Sequence, residues 1–166
     1  MRSGTKWSII TPSGIKWEIL KTMLIGEYTH SIDDKNRISL PAKFRKEMGK
    51  SVILAPGLDK CIAMYTAREW ERVSEKLAES SVLQSDNRSF GRFMFGGAVE
   101  APVDAAGRIL IPDFLIQRAG LKSKVALIGV QNRIELWNDK VWQEYKRAVD
   151  SQADQLAEKL GQIGVL

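Results

Sequence analysis

The sequence predicts an α+β fold in which one small β-rich unit occurs twice. Three observations carry this. Residues recur in the same order at a nearly constant offset. Short alternating segments bounded by turn residues read as strands. Each copy holds one short helical stretch, opened by proline and closed by glycine.

The repeat comes first, because a missed duplication misreads a whole fold. Setting Gly26 on Gly97, an offset of 71, places Asp33 on Asp104, Arg37 on Arg108 and Ile38 on Ile109. It also places Pro41 on Pro112 and Gly49 on Gly120. One extra residue then moves the offset to 72, where Tyr65 meets Trp137 and Trp70 meets Trp142. An ordered series with a single shift is a duplication.

In the first copy Glu27–Ile32 reads as a strand, Asp34-Lys35-Asn36 as a turn and Arg37–Leu40 as a second strand. Pro41 opens a helix that Gly49 stops. Ser51–Ala55 and Cys61–Tyr65 are two more strands around the turn Pro56–Asp59. The second copy repeats the order. It has strands at Ala98–Val103 and Arg108–Ile111, a helix in PDFLIQRAG, and strands at Lys124–Ile128 and Arg133–Trp137. Between the copies, Thr66 and Glu69 form a capping box before Trp70, Val73 and Leu77 at helical spacing. A polar break, SDNRS, is expected before the apolar FGRFMFGG. A single helix is expected from Asp139, with a stripe of Trp142, Tyr145, Val149, Leu156 and Leu160. The division is therefore 1–22 as an extension, 27–69 as the first unit, 70–97 as a helical connector, 98–141 as the second unit and 142–166 as a terminal helix and tail.

Composition excludes more than it assigns. With 44% hydrophobic and 27% charged residues, the chain can bury a core and stay in solution. No apolar run is long enough for a transmembrane helix, and the amino terminus lacks a signal-peptide pattern, so a cytoplasmic protein is expected. One cysteine, Cys61, forbids an intrachain disulfide, and it sits in an apolar run as a small hydrophobe. One histidine, His30, forbids a zinc site of several His or Cys ligands. Phosphate-binding and dinucleotide loops are absent, as is a nucleophile elbow. The acids Asp33, Asp34 and Glu100 form no catalytic constellation, so no enzyme, metal or cofactor is expected.

The formal charge is +5, but residues 1–22 supply +3 of it. Its placement is more informative. Lys35, Arg37, Lys43, Arg45, Lys46 and Lys50 stand against Glu47 in one short stretch. Taken alone, such a run is as well read as a solvated helix face.

The chemistry lies in the turns SIDDKNRISLP and VDAAGRILIP. Each separates Asp from Arg by three residues. The plain reading is structural: Asp caps turn amides, and Arg pairs with it or lies on the surface. The functional reading divides the tasks. Asp33 and Asp104 organise the loops. Arg37 and Arg108 present planar forks suited to phosphate or to guanine O6/N7. Lys35 adds a phosphate contact that its counterpart Ala106 cannot make. The first loop thus ranks above the second for affinity.

On GEYTHSIDDKNRISLPAKFR, the second GRILIP and the ELW segment, the chain resembles the MraZ family over about residues 23–150. That family is built from two AbrB/SpoVT-type domains. The resemblance implies a compact β-barrel made by both units, and assembly into rings of many subunits. It implies binding of double-stranded DNA through the Asp-x-x-x-Arg loops, here Asp33–Arg37 and Asp104–Arg108. Family members bind repeated boxes upstream of the division and cell-wall gene cluster, which includes their own gene, and usually repress it. A nucleoid-associated protein without membrane or small-molecule partners is implied. The family has Gly before the first Arg where this chain has Asn36, a residue that tolerates positive φ.

The family usually begins at a methionine equivalent to Met23, which makes residues 1–22 surplus. Within them Ser3-Gly4-x-Lys6-Trp7 recurs as Ser13-Gly14-x-Lys16-Trp17. They read as an extension, or as operator DNA translated from a start set too early. The second functional reading for the whole chain is an oligomeric assembly or interaction module without specific DNA readout.

Overall fold

The computed structural model describes residues 23–165. The expectations for residues 1–22 lie outside this range. Two sequence units appear in order, each strand, strand, helix, strand, strand. The first comprises β1 (Leu24–Ser31), β2 (Arg37–Ser39), α1 (Ala42–Met48), β3 (Ser51–Pro56) and β4 (Ile62–Tyr65). Two helices follow, α2 (Ala67–Ala78) and α3 (Ser85–Gly96). The second comprises β5 (Val99–Pro102), β6 (Arg108–Leu110), α4 (Asp113–Ala119), β7 (Lys124–Gln131) and β8 (Ile134–Asn138). The described chain closes with α5 (Asp139–Asp150) and α6 (Ala153–Gln162).

The units do not fold side by side. β1 pairs with β7 of the other copy, and β5 pairs with β3. β4 pairs with β8, joining the halves. The six-stranded antiparallel sheet runs β1-β7-β8-β4-β3-β5, and β2 pairs with β6 in a separate ribbon. Exchanging the copies reverses this order without changing it. The duplication in sequence is thus an approximate two-fold relation in space.

A closed barrel, expected from the resemblance, is not what forms. β1 and β5 lie at opposite ends of the ladder and do not pair with each other. β5 has four residues and ends at Pro102, which has no amide hydrogen to extend pairing. The core is instead covered by the β2–β6 ribbon and by α1 and α4. Ile38, Leu40, Phe44, Met48, Ile109, Ile111 and Leu115 pack from this layer onto Val52, Leu54, Ile62, Met64, Val125 and Leu127 of the sheet.

The central strands are buried on both faces, because side chains alternate across a sheet. Ala55, Ala63 and Tyr65 point to the opposite side, under Trp70, Val73 and Leu77 of α2 and Phe93 and Met94 of α3. Ala126 and Trp137 do the same beneath Trp142 of α5. Cys61 joins this second layer, 2% exposed, and burial raises its thiol pKa to about 12. It is the small buried hydrophobe the sequence suggests.

Two local expectations fail. SDNRS is no break; it forms the first turns of α3. Asp86 lies in the first turn, where negative charge suits the helix dipole, and Asn87 Nδ2 donates back to Ser81 O at 2.9 Å. The terminal stripe also spans two helices, interrupted at Ser151 and Gln152.

Candidate nucleic-acid interface

The two Asp-x-x-x-Arg turns close in the same way. In the first, the Asp33 amide donates to Arg37 O (2.9 Å) and the Asn36 amide to Asp33 O (3.0 Å). Asp33 Oδ1 accepts from the amides of Lys35 (2.9 Å) and Arg37 (2.8 Å). Asp33 Oδ2 accepts from Arg37 Nε (2.8 Å) and pairs with Nη2 at 2.8 Å. In the second, the Asp104 amide donates to Arg108 O and the Gly107 amide to Asp104 O, both at 2.8 Å. Asp104 Oδ1 accepts from the amides of Ala106 and Arg108, each at 2.9 Å. Asp104 Oδ2 accepts from Arg108 Nε at 2.8 Å.

Each aspartate therefore does two jobs. One oxygen gathers loop amides and the other grips the Arg Nε edge. That grip fixes the direction of a long, rotamer-rich side chain before any ligand arrives. The Arg37 guanidinium, then the loop amides, hold the Asp33 carboxyl below its ordinary value. For Asp104 the Arg108 amide is the main cause. Asp33 in turn raises the pKa of Arg37.

The residue before each arginine sits in the left-handed region, Asn36 at φ 59 and Gly107 at φ 76. Asn substitutes for Gly here because its short polar side chain tolerates that conformation.

The loops are stitched to each other's halves. The Leu40 amide donates to Gly107 O and the Ile111 amide to Asn36 O, both at 2.9 Å. These bonds are equivalent under the 71-residue offset. The side-chain contacts are not. Asn36 Nδ2 donates to Asp113 Oδ1 at the start of α4. Gly107 instead lies under the Arg45 guanidinium from α1, whose Nη2 donates to Leu40 O at 3.1 Å.

The ribbon between the loops pairs Arg37 with Leu110, Ile38 with Ile109 and Ser39 with Arg108. Ile38 and Ile109 are buried. By alternation, Arg37, Ser39, Arg108 and Leu110 share the opposite, outer face. Both arginine side chains are about one-third exposed. Lys35 and Ala106 are exposed at equivalent places in the two turns. Beside the ribbon, Lys43, Arg45, Lys46 and Lys50 are exposed around α1, while Phe44 and Met48 anchor that helix inward. The matching helix α4 carries Asp113 and Arg118, so α1 is the more basic of the two helices.

Sequence reasoning named Arg45 only as part of a charge run. Its contact with the second loop has one sequence signal, the missing Cβ at Gly107. It also passed over Asp113 and Leu110, which gain meaning only from the pairing of β2 with β6. Of the candidate acids, Asp33 is committed to its arginine, and Asp34 and Glu100 lie exposed. His30 Nδ1 donates to Ser39 O at 2.6 Å. No group of three or more His, Cys, Asp or Glu suited to a metal is found among the described residues. No described helix is long and apolar enough to cross a membrane.

On the other side of the sheet, a groove of about 670 Å³ runs between α2, α3 and α5. Tyr65, Val73, Leu77, Met94, Trp137 and Trp142 are among its lining.

The sequence model of the family described as "MraZ protein, putative antitoxin-like" matches residues 23–93 and again 94–162. A protein of Caldanaerobacter subterraneus subsp. tengcongensis is 43% identical over 143 residues, 86% of this chain and all of the relative. One from Clostridium tetani is 44% identical over the same shares, and one from Caldicellulosiruptor saccharolyticus is 43% identical. All three are named "Transcriptional regulator MraZ".

Proposed function

The chain belongs to the MraZ family, and from that membership we propose that it is a DNA-binding transcriptional regulator working at the nucleoid. The observation that supports this best is the β2–β6 ribbon, with two aspartate-anchored arginines on one outward face. A two-stranded ribbon fits the major groove, where an arginine fork matches guanine O6/N7. Arg37 and Arg108 are the base-reading residues in this proposal, Lys35 contacts phosphate, and Asp33 and Asp104 organise the loops. The targets are repeated boxes upstream of the division and cell-wall genes, the chain's own gene included, and the effect is repression.

One ribbon offers few contacts, so useful affinity requires several chains engaging successive boxes. Assembly into a homo-oligomeric ring supplies them. The apolar groove between α2, α3 and α5 also favours a second reading, an assembly module without DNA readout. A mobility-shift assay on the DNA upstream of the gene separates the two. The regulator shifts it in a salt-sensitive way, and Arg37→Ala abolishes the shift without unfolding. If the variant binds as well as wild type, the site assignment is wrong.

A further inference from the structure

Leu110 is 54% exposed, the most exposed large hydrophobic side chain in any described strand. Isolated exposed leucines are ordinary on protein surfaces. This one lies on the outer face of the ribbon, directly across from Arg37. Paired side chains on one face of a ribbon have Cβ atoms about 5 Å apart. Its neighbours Ile109 and Ile111 are buried, and Leu110 itself belongs to none of the core clusters.

The two-fold relation sharpens the point. The residue equivalent to Leu110 is Ser39, which stands across from Arg108. Ser39 is half-buried, and its carbonyl is held by His30. One arginine therefore has an aliphatic neighbour and the other a hydroxyl. Loops that close identically are flanked by different chemistry.

On the major-groove edge of B-DNA the apolar feature a protein can read is the C5-methyl of thymine. We propose that Leu110 packs on a thymine C5-methyl next to the base contacted by Arg37, making that end of the ribbon selective for thymine. This rests on the DNA-binding reading above. The serine at the other end gives no such preference.

The test replaces single thymines by deoxyuridine, which removes the methyl and keeps the hydrogen-bonding edge. Duplexes of the DNA upstream of the gene are titrated with the full chain, with Leu110→Ser and with Leu110→Met. For wild type, one substitution in each bound site weakens binding about fourfold per engaged ribbon, the effect of losing one buried methyl-sized group. Leu110→Met keeps that sensitivity. Leu110→Ser binds the natural duplex as weakly as wild type binds the substituted one, and ignores the substitution. Thermal unfolding of each variant shows whether the fold is kept. Tight, salt-sensitive wild-type binding that ignores every deoxyuridine overturns the inference alone, as does equal sensitivity in Leu110→Ser. Failure of wild type to bind any of the duplexes overturns the DNA reading, and the inference with it.

Discussion

Arg45 lies across Gly107: its guanidinium occupies the space where any Cβ at that position would stand. A basic residue of the first copy thereby roofs the turn of the second. Gly107→Ala meets two obstacles, a positive φ and the Arg45 side chain, of which the latter can swing away. The strained backbone costs about 1–2 kcal/mol. Asn36→Gly relaxes the equivalent backbone and loses one exposed hydrogen bond to Asp113, a change of under about 1 kcal/mol. Denaturant unfolding of both variants checks the contrast.

The two aspartates set the acid limit of the loops. Both carboxyls titrate below their ordinary value of 3.8. A depressed folded pKa stabilises the fold fully above the unfolded value and loses that contribution as pH falls through the folded one. The turns therefore keep their carboxylate contacts through the ordinary aspartate range and lose them only in stronger acid. Carboxyl titration by NMR should show Asp33 and Asp104 with midpoints below those of unpaired aspartates. Asp33→Asn should remove the Asp33 titration and leave that of Asp104.

Cys61 should resist thiol reagents. Its pKa is raised to about 12 from 9.0, so the thiol stays protonated in the folded protein at any ordinary pH. The associated stability is present below 9.0 and declines as pH rises through the folded value. Labelling by a disulfide reagent at pH 8 should follow global unfolding, with a rate that rises with denaturant. Rapid labelling of native protein would contradict the burial.

The unequal loops predict unequal losses on DNA. Arg37→Ala should weaken binding to the upstream duplex more than Arg108→Ala, since the first loop carries Lys35 where the second carries Ala106. Lys35→Ala should reduce the slope of log affinity against log salt by about 1 per engaged loop while leaving sequence preference unchanged. Titrations at three salt concentrations measure both.

Neither half should fold as a monomer. Residues 23–93 contain β1, whose partner β7 lies in 94–162, and β3 and β4, each of which has one of its two partners there, β5 and β8. Each fragment alone should give poor NMR dispersion or self-associate. Mixing them should restore a folded heterodimer. Stable monomeric halves would refute the interleaved pairing.

The elements were legible because their signals are local. Pro41 and Pro112 precede α1 and α4, Gly49 and Gly120 follow them, and the repeat fixes both turns. Partners were not legible. An alternating strand declares which face is buried and says nothing about which strand lies beside it. The closed barrel failed on that account, since nothing local shows that β1 joins β7 while β5 stops at Pro102. The continuous terminal stripe misled because Leu156 and Leu160 keep a helical rhythm across the Ser151–Gln152 interruption. At the site, spacing identified Asp33 and Arg37 but left open whether they pair. They do, and Asp33 both closes the turn and aims the arginine.

The pairing of β1 with β7 also sets a schedule for synthesis. Leu24 meets Gln131 and Ser31 meets Lys124, so the strand made first waits for a partner made about 100 residues later. At ribosomal speeds of about 5–20 residues per second, that is roughly 5–20 seconds. Throughout this interval Leu24, Ile25 and Tyr28 emerge from the exit tunnel with both strand edges open. Glu27 and His30 interrupt that stretch with polar groups, a form of protection needed before the protein has any structure at all.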